Sequence, residues 1–195
     1  LALDQIDGLV RYSFEDIKRG GGEDWQRERA LLDRFNNEQM DEAERRALMR
    51  ELFAEAEDCW VTPPLGLARG KRVKLGRKVF INSNATIGGG ADITIGQHTL
   101  LGPNVQLMTA THPVDPTERQ RWAFWAAPIT IGENVWIGSS AIICAGVTIG
   151  DHSVIGAGSV VTKDIPPCVL AAGNPCKVIR ELEPPDMATL YDLNQ

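Results

Sequence analysis

The chain has 195 residues, of which 43% are hydrophobic and 24% charged, and a formal net charge of −6. That size suits one domain with a modest appendage, with a core that needs neither disulfides nor metals. The acidic balance argues against nucleic-acid binding, no run approaches about 18 consecutive apolar residues, and Leu1 to Gly8 show neither a basic start nor a long apolar stretch, so a cytoplasmic protein without membrane span or secretory signal is expected.

Residues 1–60 are charged and helical in pattern, an expected N-terminal helical cap. Leu31, Leu32 and Phe35, then Ala47, Leu48, Leu52 and Phe53, recur at helical spacing. Gly20-Gly21-Gly22 breaks this region, Asn36-Asn37 separates two helices, and Asp24 and Asp41 are predicted N-caps. So short a helical pair should pack its apolar side on the segment that follows.

Residues 61–182 form the main domain, and over 73–163 it carries an internal repeat. Leu75, Ile81 and Ile87 make one ladder; Ile95, Leu101 and Leu107 a second; Ile131, Ile137, Ile143, Ile149, Ile155 and Val161 a third, each with a six-residue step. Each unit is a short strand and a turn. Three units close a triangle whose aliphatic residues point inward, and stacked triangles bury a continuous column. The twelve rungs give four coils of a left-handed parallel β-helix, a mainly β fold. Asn84, His98, Asn104, Asn134 and His152 share the column where the turn needs left-handed backbone. Two of the three histidines thus have a structural role. The step is lengthened at Gly88-Gly89-Gly90, read as a flexible run. It breaks again between Leu107 and Ile131, where Pro113, Asp115, Pro116 and Glu118 to Arg121 fit no inward column. Residues 109–127 are therefore expected to be a loop thrown out from the third coil, and a long loop on a rigid scaffold is usually functional.

Pro166-Pro167 is expected to end the stack, Val178 to Leu182 to lie back on the last coil, and residues 183–195 to form a loosely held tail. Cys59, Cys144, Cys168 and Cys176 form no Cys-x-x-Cys pair and read as reduced, partly buried thiols.

Trp60-Val61-Thr62-Pro63-Pro64, Thr109-Ala110-Thr111-His112-Pro113, Pro128 to Gly132, Asn134 to Gly138, Gly156 to Ser159, Val161 to Pro166 and Gly173-Asn174-Pro175 together resemble the maltose and galactoside O-acetyltransferase family of hexapeptide-repeat acyltransferases. The resemblance spans roughly residues 24–182 in order. It implies a homotrimer that binds acetyl-CoA between neighbouring β-helices and acetylates a hydroxyl of a small sugar or sugar-like molecule, with no metal required.

His112 is the one histidine outside the turn column, at the start of the protruding loop. Acetylating a hydroxyl needs a base as the oxygen attacks the thioester, and imidazole suits that near neutral pH. Direct transfer needs no acyl-enzyme nucleophile. By resemblance the backbone N–H of Ser139 meets the oxyanion, and Trp136 and Ala157 lie beside the pantetheine arm. Thr162, Lys163, Lys177 and Arg180 meet the rest of CoA, and Asn82 and Phe124 meet the acceptor. An acidic residue usual in the family has no counterpart in Gly88 to Gly90, and the arm acid could be Glu15, Asp16 or neither. With Trp122 and Trp125 beside Phe124, a bulkier, non-sugar hydroxylated metabolite is the alternative acceptor. A γ-class carbonic anhydrase is a rival of another class. It needs three convergent histidines, and this chain has three in all, two of them in turns. A non-catalytic β-helix binding module is the third reading.

Overall fold

The computed structural model describes residues 9–19 and 23–186. Gly20-Gly21-Gly22 and the end of the tail, 187–195, lie outside the described residues.

A short strand, Val10–Tyr12, leads into α1 (Phe14–Arg19), α2 (Glu23–Asn37) and α3 (Glu42–Leu52). Asp41 caps α3 as expected: its carboxylate accepts from Glu44 N–H at 2.9 Å, and Glu44 accepts in return from Asp41 N–H at 3.1 Å. Asp24 is not a cap, because α2 already begins at Glu23. Asn36-Asn37 ends α2, and the separation from α3 falls directly after it, at 38–41. The Asn36 amide reaches the β-helix, donating to Leu65 O at 2.9 Å and accepting from Leu65 N–H at 2.8 Å. Phe35, Leu48, Met49, Leu52 and Phe53 are buried against the first coil.

Three parallel sheets form the prism. The first face stacks Glu55–Ala56, Val73–Leu75, Ile93–Ile95, Ile129–Ile131 and Thr148–Ile149. The second stacks Trp60–Val61, Phe80–Ile81, Leu100–Leu101, Trp136–Ile137, Val154–Ile155 and Val169–Ala172. The third stacks Leu65–Ala68, Ala85–Gly88, Gln106–Met108, Ile142–Ile143 and Val160–Val161. The predicted ladder points inward throughout: Leu75, Ile95, Ile131 and Ile149 pair down one face and Ile81, Leu101, Ile137 and Ile155 down the next, all at most 3% exposed. The turn column is left-handed, with φ of 60°, 59°, 60°, 50° and 61° at Asn84, His98, Asn104, Asn134 and His152.

The prism is longer than the four predicted coils. A first coil, with Ala56, Val61 and Leu67 in register with Leu75, Ile81 and Ile87, precedes them. A partial coil follows Pro166-Pro167, where Ala171 pairs with Ile155, while Ile165 just before it bridges Ile149. The end is then closed. Lys177–Glu181 turns back antiparallel on Val169–Ala172, Val160 exchanges bonds with Gly173 and Cys176, and Asp164 accepts from Thr148 N–H at 2.7 Å.

The outward columns differ. Glu55, Lys74, Thr94, Thr130 and Thr148 line the first face, with Lys74 paired to Glu55 at 2.7 Å. Trp60, Phe80, Leu100, Trp136, Val154 and Leu170 line the second. Burial raises the thiol pKa of Cys59, Cys144 and Cys176.

Candidate active site

The excursion between Met108 and Ile129 is structured. It holds a strand at Ala110–Thr111, the short helix α4 (Pro116–Arg119) capped by Asp115, and a strand at Phe124–Ala126. The last strand pairs antiparallel with Ala110–Thr111 on one side and with Val10–Tyr12 on the other. Trp125 is buried beneath Arg11, whose guanidinium carbon lies 5.3 Å from its ring centre, and Trp122 is exposed. Within the last strand Phe124 and Trp125 leave opposite faces of this sheet.

His112 is exposed, and its Nδ1 lies 3.0 Å from Ala123 O. A carbonyl only accepts, so Nδ1 carries the hydrogen and Nε2 of the neutral ring keeps its lone pair. The loop thus fixes both tautomer and orientation. Arg119 holds the bend after His112 by donating to Val114 O at 2.9 Å and Pro113 O at 3.3 Å.

The glycine run beside this loop is packed, not flexible. Gly88 and Gly89 have φ of +144° and +135°, and a Cβ at Gly89 would stand 2.3 Å from Thr109 Oγ1. A Cβ at Gly90 would stand 2.6 Å from Ala126 Cβ and 2.8 Å from Phe124 Cε2. Tyr12 donates its hydroxyl to Gly90 O at 2.7 Å, and Arg72 donates to the same oxygen at 2.9 Å. Aromatic rings therefore fill the room that the resemblance gives to an acidic side chain. Ser13 caps α1, its Oγ accepting from Asp16 N–H at 3.3 Å, and the Asp16 carboxylate accepts in return from Ser13 Oγ at 2.7 Å and Ser13 N–H at 2.8 Å, hydrogen bonds that hold its carboxyl below the usual range. Tyr12 had no sequence signal, since a three-residue strand shows no periodicity.

The remaining candidates divide between two edges of the prism. Asn82, Ser139 and Ala157 lie at turns between the second and third faces. The Ser139 carbonyl accepts from Gly158 N–H at 2.9 Å, while its own N–H has no acceptor among the described residues. The Asn82 side-chain oxygen Oδ1 accepts from Ser83 N–H at 2.8 Å. His112 and Phe124, together with half-buried Thr162 and exposed Lys163, lie at the edge between the third and first faces. Trp136 stands outward on the second face, 55% exposed, and Lys177 and Arg180 lie on the closing strand of that sheet. At ~3.3 Å per residue, a face separates the two edges by roughly 15–20 Å. One chain therefore does not bring His112 to Asn82 and Ser139. His98 and His152 sit in turns between the first and second faces, away from His112. No cluster of three His, Cys, Asp or Glu side chains arranged for a metal occurs among the described residues.

Residues 128–163 match the bacterial transferase hexapeptide (six repeats) family. The galactoside O-acetyltransferase of Escherichia coli (strain K12) is 47% identical over 175 residues, covering 89% of this chain and 86% of that protein. A maltose O-acetyltransferase from Clostridium difficile 630 superposes with a TM-score of 0.84 at 39% identity, covering 89% of this chain and 93% of that one. A galactoside acetyltransferase in complex with coenzyme A superposes with a TM-score of 0.80 at 48% identity, covering 83% and 82%. With this identity and structural agreement over most of the chain, this protein belongs to the hexapeptide-repeat family of acetyl-CoA-dependent O-acetyltransferases that includes the galactoside and maltose enzymes.

Proposed function

We propose that the chain transfers an acetyl group from acetyl-CoA directly to a hydroxyl of a sugar or sugar-like acceptor, with His112 as general base, at sites shared between subunits of a homotrimer. The observation that carries this reading is the Nδ1 contact with Ala123 O, which turns the basic Nε2 outward. Nε2 takes the acceptor's hydroxyl proton as its oxygen bonds to the thioester carbonyl carbon. The charge that develops on the carbonyl oxygen falls to the Ser139 N–H. The carbon–sulfur bond then breaks, the CoA sulfur recovers the proton from the imidazolium, and the ring returns neutral.

The division of the candidates between two edges supports the shared site. A neighbour whose loop edge meets the opposite edge of this chain brings His112 to Asn82, Ser139 and Ala157. The exposed stripe around Trp60, Leu100 and Trp136 gives such a contact apolar area to bury. Trp136 and Ala157 then flank the pantetheine arm, while Thr162, Lys163, Lys177 and Arg180 meet the rest of CoA, the basic groups as phosphate partners. Asn82 and Phe124 contact the acceptor. The donor is a cytoplasmic metabolite, which supports that location.

Replacing His112 with Ala is expected to lower turnover by roughly 10²–10⁴-fold with acetyl-CoA affinity little changed. Wild-type turnover in the variant would place the base elsewhere. A second acceptor reading, a bulkier and less polar hydroxyl compound, is favoured by the Tyr12 and Phe124 rings packed over Gly90.

A further inference from the structure

We infer that Tyr12, in the strand before α1, is a positioning residue that sets acceptor specificity through Phe124; the inference rests on the reading of Phe124 as an acceptor contact. In the three-stranded sheet Tyr12 pairs with Phe124. On the other side Thr111 pairs with Trp125, where the pairing ends, and the next residue, His112, sets its Nδ1 against the carbonyl of Ala123, the neighbour of Phe124. Residues opposed across a sheet leave the same face. Tyr12 and Phe124 thus leave the same face, with His112 anchored to the residue next to Phe124.

Tyr12 stacks on Phe124 with ring centres 4.6 Å apart and planes 8° apart. It is itself held in place by its hydroxyl bond to Gly90 O at 2.7 Å and by the Arg69 guanidinium, 5.9 Å from its ring centre. A lone phenylalanine beside the base would be free to change rotamer. Stacked on an anchored ring, it keeps one orientation. A fixed aromatic surface beside the base takes an acceptor with a flat apolar group, the C–H face of a ring or an aryl substituent. The glycine run is part of the device, because a side chain at Gly90 would displace the pair.

The test uses the assembled full-length enzyme and steady-state kinetics with p-nitrophenyl galactoside, free galactose and acetyl-CoA. Tyr12→Ala is expected to raise KM for the aryl glycoside on the order of 3- to 10-fold, what a stacked aromatic pair is worth. Its kcat and its KM for acetyl-CoA stay near wild type, and free galactose is affected less. Tyr12→Phe keeps the ring and restores the preference. Should Tyr12→Ala fail to fold, Tyr12→Leu supplies bulk without the stack. An equal fall in kcat on both acceptors, or an unchanged aryl-to-free ratio, overturns the inference. Phe124→Ala separates the two levels. An unchanged ratio there removes the acceptor role of Phe124 and this inference with it, whereas a changed ratio with Tyr12→Ala silent removes this inference alone.

Discussion

The first and second faces of the prism share one interior and have opposite exteriors. Inside, each is a column of aliphatic residues at most 9% exposed. Outside, the first face carries Glu55, Lys74, Thr94, Thr130 and Thr148, which suit a β-sheet in water. The second carries Trp60, Phe80, Leu100, Trp136, Val154 and Leu170, a stripe six rungs long. Backbone pairing is the same parallel ladder in both, so the exterior difference serves something other than folding one chain. The inward column specifies the fold and the outward column specifies what the fold meets.

Three substitutions in the fourth coil test that division. Ile137 points inward and is fully buried. Ile137→Ala is expected to cost about 2–5 kcal/mol in chemical denaturation, as large-to-small core changes do. A loss under about 1 kcal/mol would mean that the column is not the source of stability. Its neighbour Trp136 points outward on the second face. Trp136→Glu should leave far-ultraviolet circular dichroism intact while sedimentation shifts from trimer toward monomer and activity falls. A variant that stays trimeric would separate this stripe from assembly. Thr130→Glu makes a similar change on the first face and should alter stability by no more than about 0.5 kcal/mol, with assembly and turnover unchanged. An effect comparable to that of Trp136→Glu would erase the contrast.

The repeat was legible where its spacing is regular. Leu75 to Val161 announced themselves because an aliphatic residue returns at the same step and a left-handed turn follows it. The outer coils were hidden by irregular spacing. Ala56, Val61 and Leu67 lead to Leu75 through the 3₁₀ turn Gly70–Arg72, and Ile165 follows Val161 too soon to continue the count. In the candidate site, His112 stood out because it lies off the turn column. The role of Gly90 and the Tyr12 stack did not stand out, since they join residues 78 positions apart or more in sequence and leave no local pattern. The glycines looked loose in one dimension and proved tightly packed in three.

A six-residue repeat has no internal reason to stop, since each coil offers the next the same hydrogen-bonding edge. Here both ends carry plugs. At the helical end the Asn36 amide serves as a surrogate peptide group, giving and taking one bond with Leu65. At the other end the antiparallel return of Lys177–Glu181, the turn at Gly173 to Cys176 and the Asp164 carboxylate occupy groups that another coil would use. Strand-by-strand growth is thereby blocked on all three faces at the closing end and on the third face at the helical end. The exposed apolar area is left on a side of the prism, where a lateral contact between copies could close into a ring rather than extend as a fibre.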